Sequence, residues 1–350
     1  MPYTQPMKPT TSLPPKTYPS YPLAELHAHL GTSIPASILW QIAHDRGIKL
    51  PKTEYHEFRD YVTLSPDRPM PLNEYFEKIY HPLLDRLSSG TLAVEAAVYN
   101  TMSGAYRNGI TLIELRTNPM KHNFNAEVDL DHLIMAMLRG MERALLEHPQ
   151  LSAGLIFCIG REYDTERNRT IIDKAIKYHK RGVVGVDIAG PGKDSFDIRE
   201  YAADFEKARA AGLGVTIHSG EAADANDMWD ALALNPSRIG HGILAAQDEK
   251  LMAELVRRDI VLEVCPLSNV VTTAVQDMGD IQRILRTFVE NKVKFTINTD
   301  WPEVIEQGHL RRQYQVLLEQ GILSDEELQT CTHTAFEASF IPGPGLDSYL

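Results

Sequence analysis

The feature that most constrains the fold of this chain is a regular alternation of short apolar runs with longer amphipathic stretches. The amphipathic stretches repeat apolar residues every three or four positions, which is typical of helices packed on one face. Several of them end in a basic residue followed by Gly or Asn, a common way for a helix to end before a strand. The predicted strands are Leu23–His29, Thr111–Arg116, Gly154–Ile159, Val183–Ala189, Gly214–His218, Arg238–Gly240, Ile260–Cys265 and Lys294–Asn298.

Eight strands that alternate with helices predict an α/β fold, a (β/α)8 TIM-type barrel of parallel strands. The chain has 350 residues, a length that such barrels reach as one domain. We therefore predict a single barrel domain over residues 23–350. Residues 32–108 are too long for one crossover and predict extra helices inserted after the first strand, in which 72–87 covers the mouth like a lid. Residues 1–22 are rich in Pro and form an arm, either packed on the domain or poorly ordered.

The composition restricts the partners and the location of the protein. A formal net charge of -12 argues against a nucleic-acid-binding surface, which needs clustered Lys and Arg, and favours a small, not strongly acidic substrate. The three cysteines are widely spaced and odd in number, so they indicate neither a disulfide framework nor a thiolate metal site. There is no apolar run long enough to cross a membrane and no apolar leader. We expect a cytoplasmic protein, and no residue pattern specifies an oligomeric state.

Four residues at the ends of three predicted strands have the chemistry of metal ligands. His27 and His29 are two positions apart on the first strand, so both side chains point to the same side of it. His218 ends the fifth strand and Asp300 follows the eighth. Because a barrel of this kind places its catalytic groups at the carboxyl ends of its strands, these residues should meet at one mouth. Three imidazoles and a carboxylate predict one Zn²⁺, or iron or cobalt in its place, with a position left for water that the ion makes more acidic.

Two further residues, Glu221 and His241, are expected at the same mouth. Glu221 follows His218 by three residues, and we predict that it gives a proton to a substrate ring nitrogen and then helps the amine to leave. The alternative is that it only caps the helix that follows. We predict that His241 orients the attacking water, or else that it only caps its strand. The histidines in polar helical or loop contexts, for which no role is predicted, are His56, His122 and His179.

Taken together and in this order, the motifs resemble those of the adenosine and AMP deaminase family of the amidohydrolase superfamily over about residues 23–340. The motifs are Glu25-Leu-His-Ala-His-Leu30, Val186-Asp-Ile-Ala-Gly190, Ile217-His-Ser-Gly-Glu-Ala222, Arg238-Ile-Gly-His-Gly242, Glu263-Val-Cys-Pro-Leu-Ser-Asn269 and Asn298-Thr-Asp300. The resemblance implies a (β/α)8 barrel, one zinc ion per chain and hydrolytic loss of ammonia from C6 of a purine. It assigns the same four ligands to the metal and places Gly190 near the N3 side of the purine. It also implies a catalytic set of Glu221 for proton transfer, His241 for the attacking water, and Asp300.

The sequence departs from the family pattern at two positions that concern the substrate. Adenosine deaminases usually carry a second aspartate directly after the one that matches Asp300, whereas this chain has Trp301. The indole N–H of Trp301 could donate to N7 of a purine, or the ring could fill space. The family also tends to carry an aspartate at the ribose end of the pocket, shortly after the first histidine pair, where this chain has Gly31. Thr32 or Ser33 could supply a hydroxyl there instead.

The sequence therefore predicts a zinc-dependent hydrolytic deaminase of a 6-aminopurine nucleoside, adenosine or 2'-deoxyadenosine first. The two departures leave open a deaminase of adenine, of an N6-substituted adenine, or of a 5'-modified adenosine such as aminodeoxyfutalosine. Another amidohydrolase acting on an amide or ester, and a purine-binding relative without activity, are further alternatives. The His-x-Glu and Pro-Cys-x-x-Cys signature of zinc deaminases that act on bases in nucleic acids is absent from the sequence.

Overall fold

The computed structural model describes residues 18–191, 196–221 and 225–343. In this part of the chain, eight parallel strands follow one another in chain order, each paired with the next. The prediction of a (β/α)8 barrel with helices inserted after the first strand is confirmed. The strands are β1 (Leu23–His29), β2 (Ile110–Thr117), β3 (Ser152–Gly160), β4 (Val183–Ala189), β5 (Gly214–Ser219), β6 (Arg238–His241), β7 (Val261–Val264) and β8 (Phe295–Ile297).

Helices separate the strands along the chain and cover the outside of the barrel. The strands are buried on both faces, which explains why they appear in the sequence as nearly continuous apolar runs. The helices are α1 (Ala36–Asp45), α2 (Tyr55–Val62), α3 (Leu72–Tyr75), α4 (Asp85–Leu87), α5 (Thr91–Arg107), α6 (Leu130–Glu147), α7 (Thr165–Tyr178), α8 (Ala202–Ala210), α9 (Ala225–Leu232), α10 (Glu249–Arg258), α11 (Pro266–Val271), α12 (Met278–Glu290), α13 (Leu310–Glu319) and α14 (Asp325–Ala338).

The barrel closes between β8 and β1 at the end where the predicted ligands emerge. The amide of Asp300 donates to the carbonyl oxygen of His27 (2.7 Å), and the amide of His29 donates to the carbonyl oxygen of Asp300 (3.1 Å). Deeper in the barrel, the side chain of Asn298 accepts a hydrogen bond from the amide of Leu26. The backbone hydrogen bonds that join the last strand to the first therefore also fix the relative positions of three predicted ligands, His27, His29 and Asp300.

The insertion between β1 and β2 contains α1 to α5 and a π-helix, Phe76–Leu84, which joins α3 to α4. We call α3, the π-helix and α4 together, residues 72–87, the lid segment. Its residues Leu72, Asn73, Phe76 and Tyr80 line the cavity at the mouth of the barrel. The Pro-rich arm predicted for residues 1–22 falls largely outside the described residues. Its last part packs on the domain, where the carbonyl oxygen of Pro19 accepts a hydrogen bond from Arg311.

Within the described ranges there is no helix with both the length and the apolar character needed to cross a membrane. The three cysteines, Cys158, Cys265 and Cys331, are buried and unpaired.

Candidate active site

A cavity of about 490 Å³ opens at the carboxyl ends of the strands, between the barrel and the lid segment. It has the size and the position of a small-molecule site in a barrel of this type. The predicted site residues that line it are His29, Thr32, Gly190, His218, Glu221, His241, Asp300 and Trp301. His27 is fully buried directly beneath the floor of the cavity, with its ring 4.5 Å from that of His218.

The four predicted metal ligands converge on one point. Nε2 of His29 lies 2.9 Å from Nε2 of His218. Oδ1 of Asp300 lies 3.4 Å from Nε2 of His29 and 3.6 Å from Nε2 of His27. Two atoms that bind one zinc ion at about 2.0–2.1 Å with tetrahedral angles are about 3.3 Å apart. The observed spacings bracket that value, so the four side chains can share one ion.

Carboxylates on two other strands hold two of the histidine rings in the orientation that a metal requires. Nδ1 of His27 lies 2.7 Å from Oε2 of Glu263, and Nδ1 of His218 lies 2.9 Å from Oδ2 of Asp187. Each carboxylate keeps the proton on Nδ1 and leaves the lone pair on Nε2 for a metal. Burial lowers the pKa of both histidines well below its usual value, so both rings are neutral.

The hydrogen bonds of Asp300 leave one of its oxygens without a protein partner. Ser268 donates to Oδ2 of Asp300 at 2.6 Å, whereas Oδ1 is buried and accepts no hydrogen bond from the described residues. Nε2 of His27 is likewise buried without a partner there. Buried polar atoms without partners are rare in proteins. Because both atoms point towards the shared position, the donor set fits a divalent cation.

A buried arginine joins the two carboxylates that orient these histidines. Arg116 is fully buried; its Nη1 donates to Asp187 (3.0 Å) and its Nη2 donates to Glu263 (2.6 Å). The positive charge of Arg116 favours the ionised form of both carboxylates, and Arg238 forms a second ion pair with Glu263 at 2.7 Å. The side chain of Arg116 therefore connects the supports of His27 and His218 across the barrel interior.

Glu221 and His241 lie beside the ligand cluster on the cavity side. Nε2 of His241 is 3.6 Å from Oε2 of Glu221 and 4.0 Å from Oδ2 of Asp300. The side-chain amide nitrogen of Asn269 lies 3.0 Å from Nδ1 of His241 and holds the ring in place. Burial raises the pKa of Glu221 to about 7, against the opposing positive charge of Arg161. A carboxyl with that pKa can give and take a proton near neutral pH.

The backbone is strained at two of these positions. His241 and Asp300 both have a φ of 60°, in the left-handed region that residues with a side chain seldom adopt. Each such residue costs on the order of 1–3 kcal/mol, and strain of this kind occurs most often at functional sites. Here the unusual turn at the end of each strand directs the side chain across the mouth towards the predicted ligand cluster.

The four predicted substrate-binding residues occupy different surroundings. Gly190 and Trp301 line the cavity, and the Trp301 ring is 3% exposed and packs against Tyr75 of the lid segment, with ring centres 4.7 Å apart. Thr32 lines the cavity, but its hydroxyl faces the carbonyl oxygens of His29 and Asp300. Ser33 is 1% exposed, donates to the carbonyl oxygen of His29 at 2.6 Å and lies behind the cavity wall.

Several residues that shape the site are not among the predicted ones. Each of the carboxylates Asp187 and Glu263 is the lone charge in an otherwise apolar strand. That pattern was the available signal, because a charge on a strand buried on both faces needs a partner inside the barrel. His122, for which no role was expected, is 2% exposed and lines the cavity; Nδ1 of His122 is 2.9 Å from the hydroxyl of Ser88. Burial lowers the pKa of His122 to about 4, so this ring is neutral.

Residues 22–347 match the family model described as adenosine deaminase. The chain belongs to the adenosine deaminase family. It is 30% identical over 325 residues to the adenosine deaminase of Shewanella denitrificans, and the match covers 92% of this chain and 95% of that protein. Membership of this family makes the protein a hydrolytic deaminase, as the order of its motifs predicted.

Solved structures with the same fold include deaminases of different substrates. Adenine deaminase from Arthrobacter aurescens superposes with a TM-score of 0.79 at 23% identity, over 92% of this chain and 94% of that one. The N6-mAMP deaminase of Arabidopsis gives a TM-score of 0.77 at 23% identity, with the same coverage. An amidohydrolase from Burkholderia ambifaria with bound zinc gives 0.77 at 19% identity, over 92% of this chain and 86% of that one. At these identities the likeness establishes the shared barrel.

Proposed function

We propose that the protein is a zinc-dependent hydrolytic deaminase that converts a 6-aminopurine nucleoside, adenosine or 2'-deoxyadenosine, to the 6-oxopurine and ammonia. The main observation behind this proposal is that a set of metal-binding atoms and a separate proton-transfer group lie together at the mouth of the barrel. Unpartnered atoms of His27 and Asp300 converge with those of His29 and His218, while the carboxyl of Glu221 lies beside them with its pKa near 7. The family match and the zinc found in a related barrel support the choice of reaction and metal.

The chain's own residues supply positioning and proton transfer. A divalent ion held by the four ligands would lower the pKa of a water bound to it towards neutrality. The ring of His241, held by Asn269 and facing Asp300, is placed to orient that water. Glu221 in its protonated form can give its proton to the ring nitrogen beside the attacked carbon, which makes that carbon more electrophilic. The carboxylate left on Glu221 then takes up a proton that the attacking water loses and passes it to the amino group, which leaves as ammonia. The second proton of the water restores the acid form of Glu221.

The rest of the cavity wall suits a flat aromatic substrate. Gly190, whose φ is 96°, presents backbone and no side chain at one edge, which leaves room for the N3 side of a purine. Trp301 lies at the other side, where its indole N–H could donate a hydrogen bond to N7 of a purine. Relatives of the same fold include deaminases of adenine and N6-mAMP, so adenine, N6-substituted adenines and 5'-modified adenosines such as aminodeoxyfutalosine are the second set of candidates.

The partner in this proposal is a small purine and not a nucleic acid. The net charge of -12 and a cavity partly covered by the lid segment both disfavour a polyanionic substrate. We place the protein in the cytoplasm, because its three cysteines are buried and unpaired, as is usual in a reducing compartment.

A comparison of the wild type with Glu221→Gln tests the proposed function. Both proteins are loaded with Zn²⁺, and ammonia release from adenosine and metal content are measured on the same sample. The wild type should release ammonia. Glu221→Gln should keep one zinc per chain and lose about 100-fold or more in turnover, since general acid–base groups contribute about 10²–10⁴-fold. Loss of zinc in the variant would instead make Glu221 a ligand and contradict its assigned role.

A further inference from the structure

Tyr80 of the lid segment occupies the space that a side chain at position 31 would fill. A Cβ atom added to Gly31 would overlap the Tyr80 hydroxyl and lie 2.8 Å from the ring carbon that carries it. Both residues line the cavity, next to His29. The glycine is therefore required here by its neighbour: a larger residue at position 31 and the phenol at position 80 exclude each other.

The Tyr80 hydroxyl has no hydrogen-bond partner in the part of the chain that the structure describes. The residue is only 7% exposed, and its ring is held by Phe76, with centres 5.1 Å apart and the planes nearly perpendicular. The hydroxyl itself reaches the cavity, where water or a ligand can satisfy it. By contrast, the hydroxyl of Tyr75 on the same segment does have a partner, since it donates to the carbonyl oxygen of Val62.

The neighbouring hydroxyls are already engaged with the backbone. The hydroxyl of Ser33 donates to the carbonyl oxygen of His29, and the hydroxyl of Thr32 faces the carbonyl oxygens of His29 and Asp300. The hydroxyl of Tyr80 thus remains available at this end of the cavity. A phenol both donates and accepts hydrogen bonds, as a sugar hydroxyl does, so the two match.

The charge at this end favours a neutral group over a phosphate. The ammonium of Lys121 lies 6.0 Å from the centre of the Tyr80 ring, but it pairs with Glu162 at 2.7 Å. The positive charge of Lys121 is therefore already paired and is not free to balance a phosphate. Burial also raises the pKa of Tyr80 well above its usual value, so the phenol stays protonated and neutral.

The reacting carbon of the substrate must lie at the ligand cluster, so the opposite end of a nucleoside extends towards the lid segment. We propose that Tyr80 is a specificity-determining residue whose hydroxyl binds a hydroxyl of an unphosphorylated ribose, in place of a side chain at position 31. This inference rests on the proposed function. It assigns the substrate class as a neutral 6-aminopurine nucleoside in preference to the nucleoside 5'-monophosphate.

The test compares Tyr80→Phe with the wild type on adenosine, 5'-deoxyadenosine, 3'-deoxyadenosine, 2'-deoxyadenosine and AMP. The variant should lose about three- to tenfold in kcat/KM for adenosine, the loss expected for one neutral hydrogen bond. For the one analogue that lacks the contacted hydroxyl, wild type and variant should differ by less than about twofold. Wild type should prefer adenosine to AMP. Gly31→Ala, which displaces the phenol without removing it, should give the same pattern.

Tyr75→Phe is the matched control, because it removes a hydroxyl from the same lid segment that is bonded to the backbone. Any effect of Tyr75→Phe should be the same factor for every substrate. An equal loss across all substrates in Tyr80→Phe, no loss for any of them, or a wild-type preference for AMP would overturn the assignment of Tyr80 while leaving deamination intact. Absence of turnover of every aminopurine by the zinc-loaded wild type would overturn the proposed function and this inference with it.

Discussion

Replacement of Asp187 by Asn tests whether the buried carboxylates set the metal affinity of the site. Asp187 touches neither the cavity nor the shared position of the ligand atoms; it acts through Nδ1 of His218, 2.9 Å from its Oδ2. It is 0% exposed and also accepts from Arg116. The substitution therefore changes the support of one ligand while all four ligands remain.

The magnitude follows from what the amide keeps and what it loses. An asparagine oxygen can still accept from Nδ1 of His218, but the negative charge that strengthens the bond and increases the basicity of the ring is gone. Loss of such a partner weakens metal binding by about 10–100-fold. Because Asn retains the hydrogen bond, we expect about tenfold for Asp187→Asn, or about 1.4 kcal/mol. Asp187→Ala, which removes the bond as well, should approach 100-fold.

The assay is competition for Zn²⁺ between the protein and a chromophoric chelator at fixed pH, with circular dichroism and thermal unfolding of the same samples. Asp173→Asn is the control, because Asp173 is 62% exposed and pairs with Lys207 on the surface; its zinc affinity should not change. A folded Asp187→Ala that binds zinc within about twofold of the wild type would refute the role of the carboxylate in orienting His218.

Two further predictions concern the pH dependence of catalysis and the recognition of the purine ring. Burial raises the pKa of Glu221 to about 7, so the acid form needed for proton donation is present below that pH and is lost above it; kcat/KM for adenosine should fall as pH rises through about 7. A pH–rate profile that stays level to pH 9 would contradict this assignment. If the indole of Trp301 donates to N7, Trp301→Phe should reduce kcat/KM for adenosine by about three- to tenfold but leave 7-deazaadenosine, which has no N7 acceptor, nearly unchanged. An equal loss on both compounds would show that the ring only fills space.

The strands could be predicted because a parallel barrel buries both of their faces. Predicted and observed bounds agree for β1 and β4, where a long apolar run ends in a polar or glycine-containing turn. β8 is one residue shorter at each end than predicted, although the backbone amide of Asn298 still donates to the carbonyl oxygen of Val264 at 2.9 Å. The amphipathic stretch 198–211 begins with a 3-10 turn, Ile198–Tyr201, and continues as α8.

The proximity of the four predicted ligands could be foreseen for a related reason: they lie at strand ends, and all strand ends of the barrel meet at one mouth. The groups that orient them could not. Glu263 and His27 are 236 residues apart, and only the closed barrel brings them within 2.7 Å. Tyr80 lies in a π-helix whose place over Gly31 depends on how the insertion folds back on the barrel. A lone charge in an apolar strand indicates that Glu263 needs a partner, but no local pattern in a sequence identifies which distant residue that partner is.

The measurement that tests the central claim most directly is the stoichiometry of the reaction with adenosine in ¹⁸O-labelled water, using protein loaded with Zn²⁺ and assayed for metal. Hydrolytic deamination at C6 predicts one ammonia for each inosine formed, with the label in the oxygen at C6. Adenine, N6-methyladenine and a 5'-extended adenosine are assayed in parallel. If protein carrying one zinc per chain released no ammonia from any of these aminopurines, the account of the site as a purine deaminase centre would be contradicted.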